Sequence, residues 1–202
     1  MSWHRLDSEN TQNLLNTVKS SGEALLFSQR NNEAKCMRLP FYSDYLLYRI
    51  ENTASLPIFS MDFLGSDDSF FYLDGTDNAL RAVNDKQQLS LREDNIAAYT
   101  QFYFDNVAQE GGEIYPIFDV PPIPDLIDPN IHDLQQTVPA SAPQFNATSA
   151  PDGGFHVETP LFYDGSFMVG RLDVSANGSL TIVAVQPLLG RSDDTQTNDV
   201  RA

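Results

Sequence analysis

The densest run of carboxylates in the chain is Asp62, Asp67, Asp68, Asp74 and Asp77. Paired carboxylates can hydrolyse a glycosidic bond or support metal-assisted hydrolysis, provided the fold sets their separation. The same residues are what strand ends and turns require, because an Asp side chain bonds the backbone two residues on. The imidazoles are His4, His132 and His156. None has the spacing that places two of them on one helical face for zinc. His132-Asp133 lies near Asp125 and Asp128, and His156 stands two residues before Glu158, on the same side of a strand. Imidazole with carboxylate could bind a divalent ion or move a proton. The competing reading is a surface-loop histidine and a strand-edge pair.

Asp173, Ser175, Asn177 and Gly178 match the opening positions of an EF-hand calcium loop. The twelfth position, where a bidentate glutamate belongs, is Ala184, and both flanks read as strands. A hairpin turn accounts for these residues through turn preference alone. No nucleophile elbow, phosphate-binding loop or dinucleotide fingerprint is present. The single cysteine, Cys36, has no partner for a disulfide or a metal cluster and reads as a small buried hydrophobe. No catalytic residue, metal ligand or cofactor is assigned.

The chain has 202 residues, 41% of them hydrophobic and 11% aromatic, which is enough apolar area for a real core. Asp and Glu number 28 against 12 Lys and Arg, a formal net charge of -16. That balance argues against direct binding of a nucleic-acid backbone, which runs on Lys and Arg releasing counterions, and against an anionic membrane surface. Met1 to Asn10 carries no basic segment leading into an apolar run, and no apolar stretch approaches the ~20 residues of a membrane span. A cytoplasmic location is expected. Without secretion, the sequons Asn146-Ala-Thr148 and Asn177-Gly-Ser179 are loop and turn chemistry.

The elements that must position these groups begin with a helix over Ser8 to Ser20, with Leu14, Leu15 and Val18 on one face and a stop at Gly22. Strand-like runs follow at Ala24 to Ser28, Ala34 to Leu39, Tyr45 to Glu51, Leu56 to Leu64 and Phe70 to Leu73. Within the third, Leu46, Tyr48 and Ile50 form the cleaner apolar face. Asp74-Gly75 is a tight turn, followed by a short run near Leu80 to Val83. Ser90 with Glu93 predicts a capping box opening a helix over Leu91 to Ala108. Gly111-Gly112 ends that helix, and Glu113 to Asp119 is a strand returning to the sheet.

Between Val120 and Gly154 seven prolines give an extended excursion. Ile123, Leu126, Ile127, Ile131 and Leu134 are its candidate anchors, and Ala140 to Gly153 is its candidate for disorder. A β-meander closes the chain: Phe155 to Tyr163, the turn Asp164-Gly165, Ser166 to Val174, the turn at Asn177-Gly178, and Ser179 to Val185. Gly190 to Ala202 reads as a polar tail.

The expected fold class is α+β, an antiparallel sheet packed by two main helices, with a C-terminal β-meander. Residues 1–119 and 155–189 are expected to share one core across the 120–154 excursion, because about 35 residues of hairpin are too few to be stable alone. The favoured function is a non-enzymatic binding or regulatory protein that contacts a basic protein partner. The alternative is a metal-dependent or acid–base enzyme using His132, His156 and the Asp62 to Asp77 carboxylates. Candidate binding residues are Asp62, Asp67, Asp68, Asp74, Asp77, His132, His156 and Glu158.

Overall fold

The computed structural model describes residues 2–19, 32–54, 56–67, 69–86, 88–112, 114–118 and 143–188. The elements run in the order β1 (His4–Arg5), α1 (Ser8–Lys19), β2 (Asn32–Arg38), β3 (Leu46–Asn52), β4 (Phe59–Gly65), β5 (Phe70–Tyr72), α2 (Asn78–Asn84) and α3 (Ile96–Asn106). Five more strands follow: β6 (Ile114–Pro116), β7 (Asn146–Ser149), β8 (Phe155–Tyr163), β9 (Ser166–Val174) and β10 (Leu180–Pro187). The expected strand at Ala24 to Ser28, the stop at Gly22, the anchors Ile123 to Leu134 and the tail Gly190 to Ala202 lie outside the described residues.

The chain is mixed α and β, dominated by antiparallel sheet, and two points of the expected architecture need correction. The described residues form two sheets, ordered β1-β2-β3-β4-β5 and β10-β9-β8-β6, with β7 also pairing β8. Among the described residues there are also three helices where two main ones were expected. The run near Leu80 to Val83 is α2, whose Ala79, Leu80 and Val83 are buried at helical spacing. A seven-residue helix shows too little periodicity to be told from a short strand.

The first sheet is covered on both faces. Asp7 starts α1: its Oδ1 accepts the backbone N–H of Asn10 at 2.8 Å. Leu14, Leu15 and Val18 then pack with Ala34, Ile50, Met61 and Phe63 in a core of their own. On the opposite face Leu47 and Leu64 join Tyr99, Phe102, Val157, Leu161 and Leu172 in the larger core, which draws on both sheets and on α2 and α3. The apolar face expected in β3 is therefore only half the story. Ile50 is buried as predicted, but Leu47 is buried on the other side, while Leu46 and Tyr48 are only partly covered.

The predicted capping box does not form, and α3 starts five residues later than expected, at Ile96. Ser90 instead donates its backbone N–H to Phe41 O at 2.9 Å. The organising residue is the buried Asn95, whose Oδ1 accepts the Arg92 N–H at 2.8 Å. Its Nδ2 donates to Ser90 O and Pro40 O, at 2.8 and 3.3 Å. Strand β6 returns to the second sheet, beside β8, and not to the first.

The C-terminal meander of β8, β9 and β10 is as expected. At its first turn Asp164 and Gly165 both have positive φ, the geometry of a two-residue hairpin. At the second turn only Gly178 does, and Ser175 closes a longer loop by donating its N–H to Ser179 O at 2.9 Å. A side chain at Gly178 would collide with the Tyr99 hydroxyl, which donates to Gly178 O at 2.6 Å. That contact fixes the meander against α3. The stretch considered for disorder, Ala140 to Gly153, contains β7, paired with β8 from Asn146↔Glu158 to Ser149↔Phe155. Its Asn and Thr content hid the strand.

Candidate functional site

The predicted carboxylates are spread along the first sheet and its exits. Asp62 lies on β4 directly opposite Arg49 of β3, and its two oxygens accept from Arg49 Nε and Nη2, both at 2.6 Å. Arg49 in turn lies 5.2 Å from the centroid of the Trp3 ring, as does Lys35, so the indole is flanked by two cations. Asp67 is an exposed residue of the β4–β5 turn, and Asp68 lies outside the described residues. Asp74 accepts the Thr76 N–H and hydroxyl at 2.9 and 2.6 Å, which is turn chemistry. Those bonds hold its carboxyl below the usual aspartate range. Asp77 accepts from Arg81 Nε at 2.6 Å along α2.

His156 and Glu158 are on the second sheet. His156 Nδ1 is 2.7 Å from Asp173 of β9, and Glu158 accepts from Arg171 Nε at 3.3 Å. Both pairs are directly opposed across β8 and β9. They sit in a shallow depression of about 440 Å³ with Asn146, Thr148 and Val183. The calcium-loop resemblance is a hairpin: Asp173 is taken up by His156, and Ser175 Oγ donates to Asn177 Oδ1. Among the described residues no three His, Cys, Asp or Glu side chains are grouped to hold a metal ion. His132 lies outside the described residues. The carboxylates of the first sheet and the imidazole of the second thus occupy different surfaces.

A larger open cleft, about 630 Å³, lies between β4–β5 and the end of α3 with β6. Asp62, Asp105, Tyr72 and Tyr115 are among the residues that line it, with Met61 and Leu73, and no Lys or Arg is among the described lining residues. Asp105 is exposed as a residue, yet enough protein surrounds its carboxyl that desolvation pushes its pKa up. The Gln101 amide, donating at 2.6 Å, and the more distant Arg49 oppose that shift without reversing it. A carboxyl of raised pKa in a cleft can hold or release a proton, and it gains from any cation that enters.

Sequence reasoning placed Asp62 among the candidates but missed Asp105, Tyr72 and Tyr115. Asp105 is the one acidic residue within α3, facing off the apolar stripe, and that was the available signal. Comparison with known proteins finds no matching family model, no similar curated protein and no similar solved structure. No described helix is long and apolar enough to cross a membrane.

Proposed function

We propose that the protein is a non-enzymatic binding protein whose partner is a basic protein, and that the cleft between β4–β5 and α3 receives a Lys or Arg side chain of that partner. The observation that carries this reading is the wall itself: Asp62 is already held by Arg49, but Asp105 stands near Tyr115 with no ion pair of its own, and no Lys or Arg is among the described lining residues. A carboxylate beside aromatic rings suits an ammonium or guanidinium group, through ion pairing and attraction to the ring face.

The charge inventory of the described surface supports it. Arg5, Lys35, Arg49, Arg81, Arg92 and Arg171 are each paired with a carboxylate of the chain itself. Lys86 donates to Tyr45 and Ser69 and lies over the Phe71 ring. Most of the described cations are therefore engaged within the chain, exposed Arg38 of β2 being outside those pairs, and the excess carboxylates set the outward field. That field speeds encounter with a basic partner and repels nucleic acid.

The test is calorimetric titration of a Lys- and Arg-rich peptide into the full chain at low and high salt. Affinity should fall about tenfold or more with salt, as expected for exposed charges. Asp105→Asn combined with Tyr115→Ala should remove most of the binding, while Glu9→Gln with Asp152→Asn should leave it nearly unchanged. Equal losses in the two double variants would reduce the acidity to a solubility device and end this reading.

A further inference from the structure

The second sheet ends in a strand that no described segment covers on its outer side. β10 reads Leu-Thr-Ile-Val-Ala-Val-Gln-Pro over Leu180–Pro187, and its described strand partner is β9 alone. It carries no ionisable side chain. The other long strands all do: β2 has Glu33, Lys35 and Arg38, β3 has Arg49 and Glu51, β4 has Asp62, and β8 and β9 have His156, Glu158, Arg171 and Asp173. Edge strands present unpaired backbone donors and acceptors, and proteins usually blunt them with charge, shortness, proline or a bulge. The first sheet follows that practice: one edge is β1, two residues including Arg5, and the other is β5, three residues long. β10 has only a register shift near Val183 and a terminal proline, and Val183 is left 58% exposed.

We infer that the outer edge of β10 is a self-association surface, where a second copy of this chain adds its own β10 antiparallel about a two-fold axis. The choice of occupant follows from charge. A basic strand would find no carboxylate on β10 to pair with. A copy of β10 meets a strand as uncharged and as rich in β-branched residues as itself, and a two-fold axis makes such a contact closed and self-complementary. On the adjoining sheet surface Arg171 pairs with Glu158, and Asp173 is hydrogen-bonded to the His156 ring across β8 and β9. Of the carboxylates outside the ion pairs, Asp105 lines the cleft, while Asp152 and Asp164 lie in the turns at the ends of β8 and not on β10.

Self-association and binding of a basic partner respond to salt with opposite sign. The net charge of -16 makes two copies repel at long range, so salt strengthens their pairing, whereas it weakens the hold on a cationic partner. The test is sedimentation equilibrium of the full chain over a wide concentration range at low and high salt. The mass should rise from monomer to dimer with concentration, further at high salt, and stop there. Val183→Lys should weaken the dimer about tenfold, because the two-fold axis places the new lysine in the junction twice. Gln186→Lys should act in the same direction and Val183→Thr should not. Both positions are exposed, and an unchanged melting temperature of the diluted monomer confirms that the variants fold. Hydrogen exchange supplies a readout without substitution: amides of residues 181–186 should gain protection as concentration rises, while those of β5 should not.

A monomer at every concentration and salt overturns the inference. So does a dimer indifferent to both lysines, or association that continues past the dimer. Peptide binding lost through Asp105→Asn but unaffected by Val183→Lys would leave the basic-partner reading standing whatever happens at β10.

Discussion

Two cross-strand arginine pairs show how differently the two sheets use one arrangement. In the first sheet Arg49 opposes Asp62, and in the second Arg171 opposes Glu158, each in direct register on neighbouring antiparallel strands. Arg49 grips both oxygens of Asp62 at 2.6 Å beside the Trp3 ring, with side chains 35% and 19% exposed. Arg171 reaches one oxygen of Glu158 at 3.3 Å, and the side chains are 62% and 43% exposed. The residue types and spacing are nearly the same; what differs is cover. The first sheet has α1 on one face and the larger core on much of the other, so a charge there must be satisfied in place. The second sheet turns one face to solvent, where charges are interchangeable and water competes for each of them.

The largest effects that test this contrast are in the cores. Leu47→Ala and Ile50→Ala, on opposite faces of β3, should each cost about 2–5 kcal/mol in urea unfolding, because each empties space in a packed core. In β9, Leu172→Ala should cost as much, whereas its exposed neighbours Arg171→Ala and Asp173→Ala should stay within about 1 kcal/mol. A small effect for Leu47→Ala would show that the first sheet is open on that face after all. Next in size are the ion pairs themselves. A double-mutant cycle on Arg49 and Asp62 should return a coupling of about 1–3 kcal/mol, and one on Arg171 and Glu158 about 0–0.5 kcal/mol, the latter vanishing in high salt. Equal couplings would break the comparison.

The strands that were legible in the sequence are those where pattern and turn chemistry agree. Asp164-Gly165 marked the β8–β9 hairpin because both residues need positive φ, and both have it. The helix over Ser8–Lys19 was legible from Leu14, Leu15 and Val18, which share one face. The starts of elements were harder. Ser90 and Glu93 spell a capping box, but the backbone of Ser90 is engaged by Phe41, and a buried Asn95 organises the turn through three hydrogen bonds. That bonding depends on Pro40, 55 residues away in the chain, and no local pattern contains it. The division into two sheets was hidden for the same reason, since β6 reads as a strand without saying which sheet it joins. Of the candidate site, Asp62 was visible as one acid among several; the cleft that gives Asp105 its surroundings exists only after α3 and β6 close against β4 and β5.

The smallest expected effects separate two carboxylates at the two ends of the same local charge problem. Asp105, whose pKa burial raises, binds its proton more tightly in the folded chain than in the unfolded one. Its contribution to stability is therefore complete below the ordinary aspartate value of about 4 and is lost as pH rises through the raised value. Asp105→Asn should melt higher than wild type at neutral pH, and that advantage should disappear as pH falls below the ordinary range. Asp74 has the opposite sign. Its carboxyl is lowered by the Thr76 bonds, so its contribution is present above the ordinary value and lost as pH falls through the depressed one. Asp74→Asn should melt lower than wild type at neutral pH, and the deficit should close in acid. Thermal melts of the two variants across pH check both signs at once. If Asp105→Asn were destabilising at neutral pH, the Gln101 bond and the Arg49 charge would outweigh desolvation, and the cleft would have less to offer a guest cation.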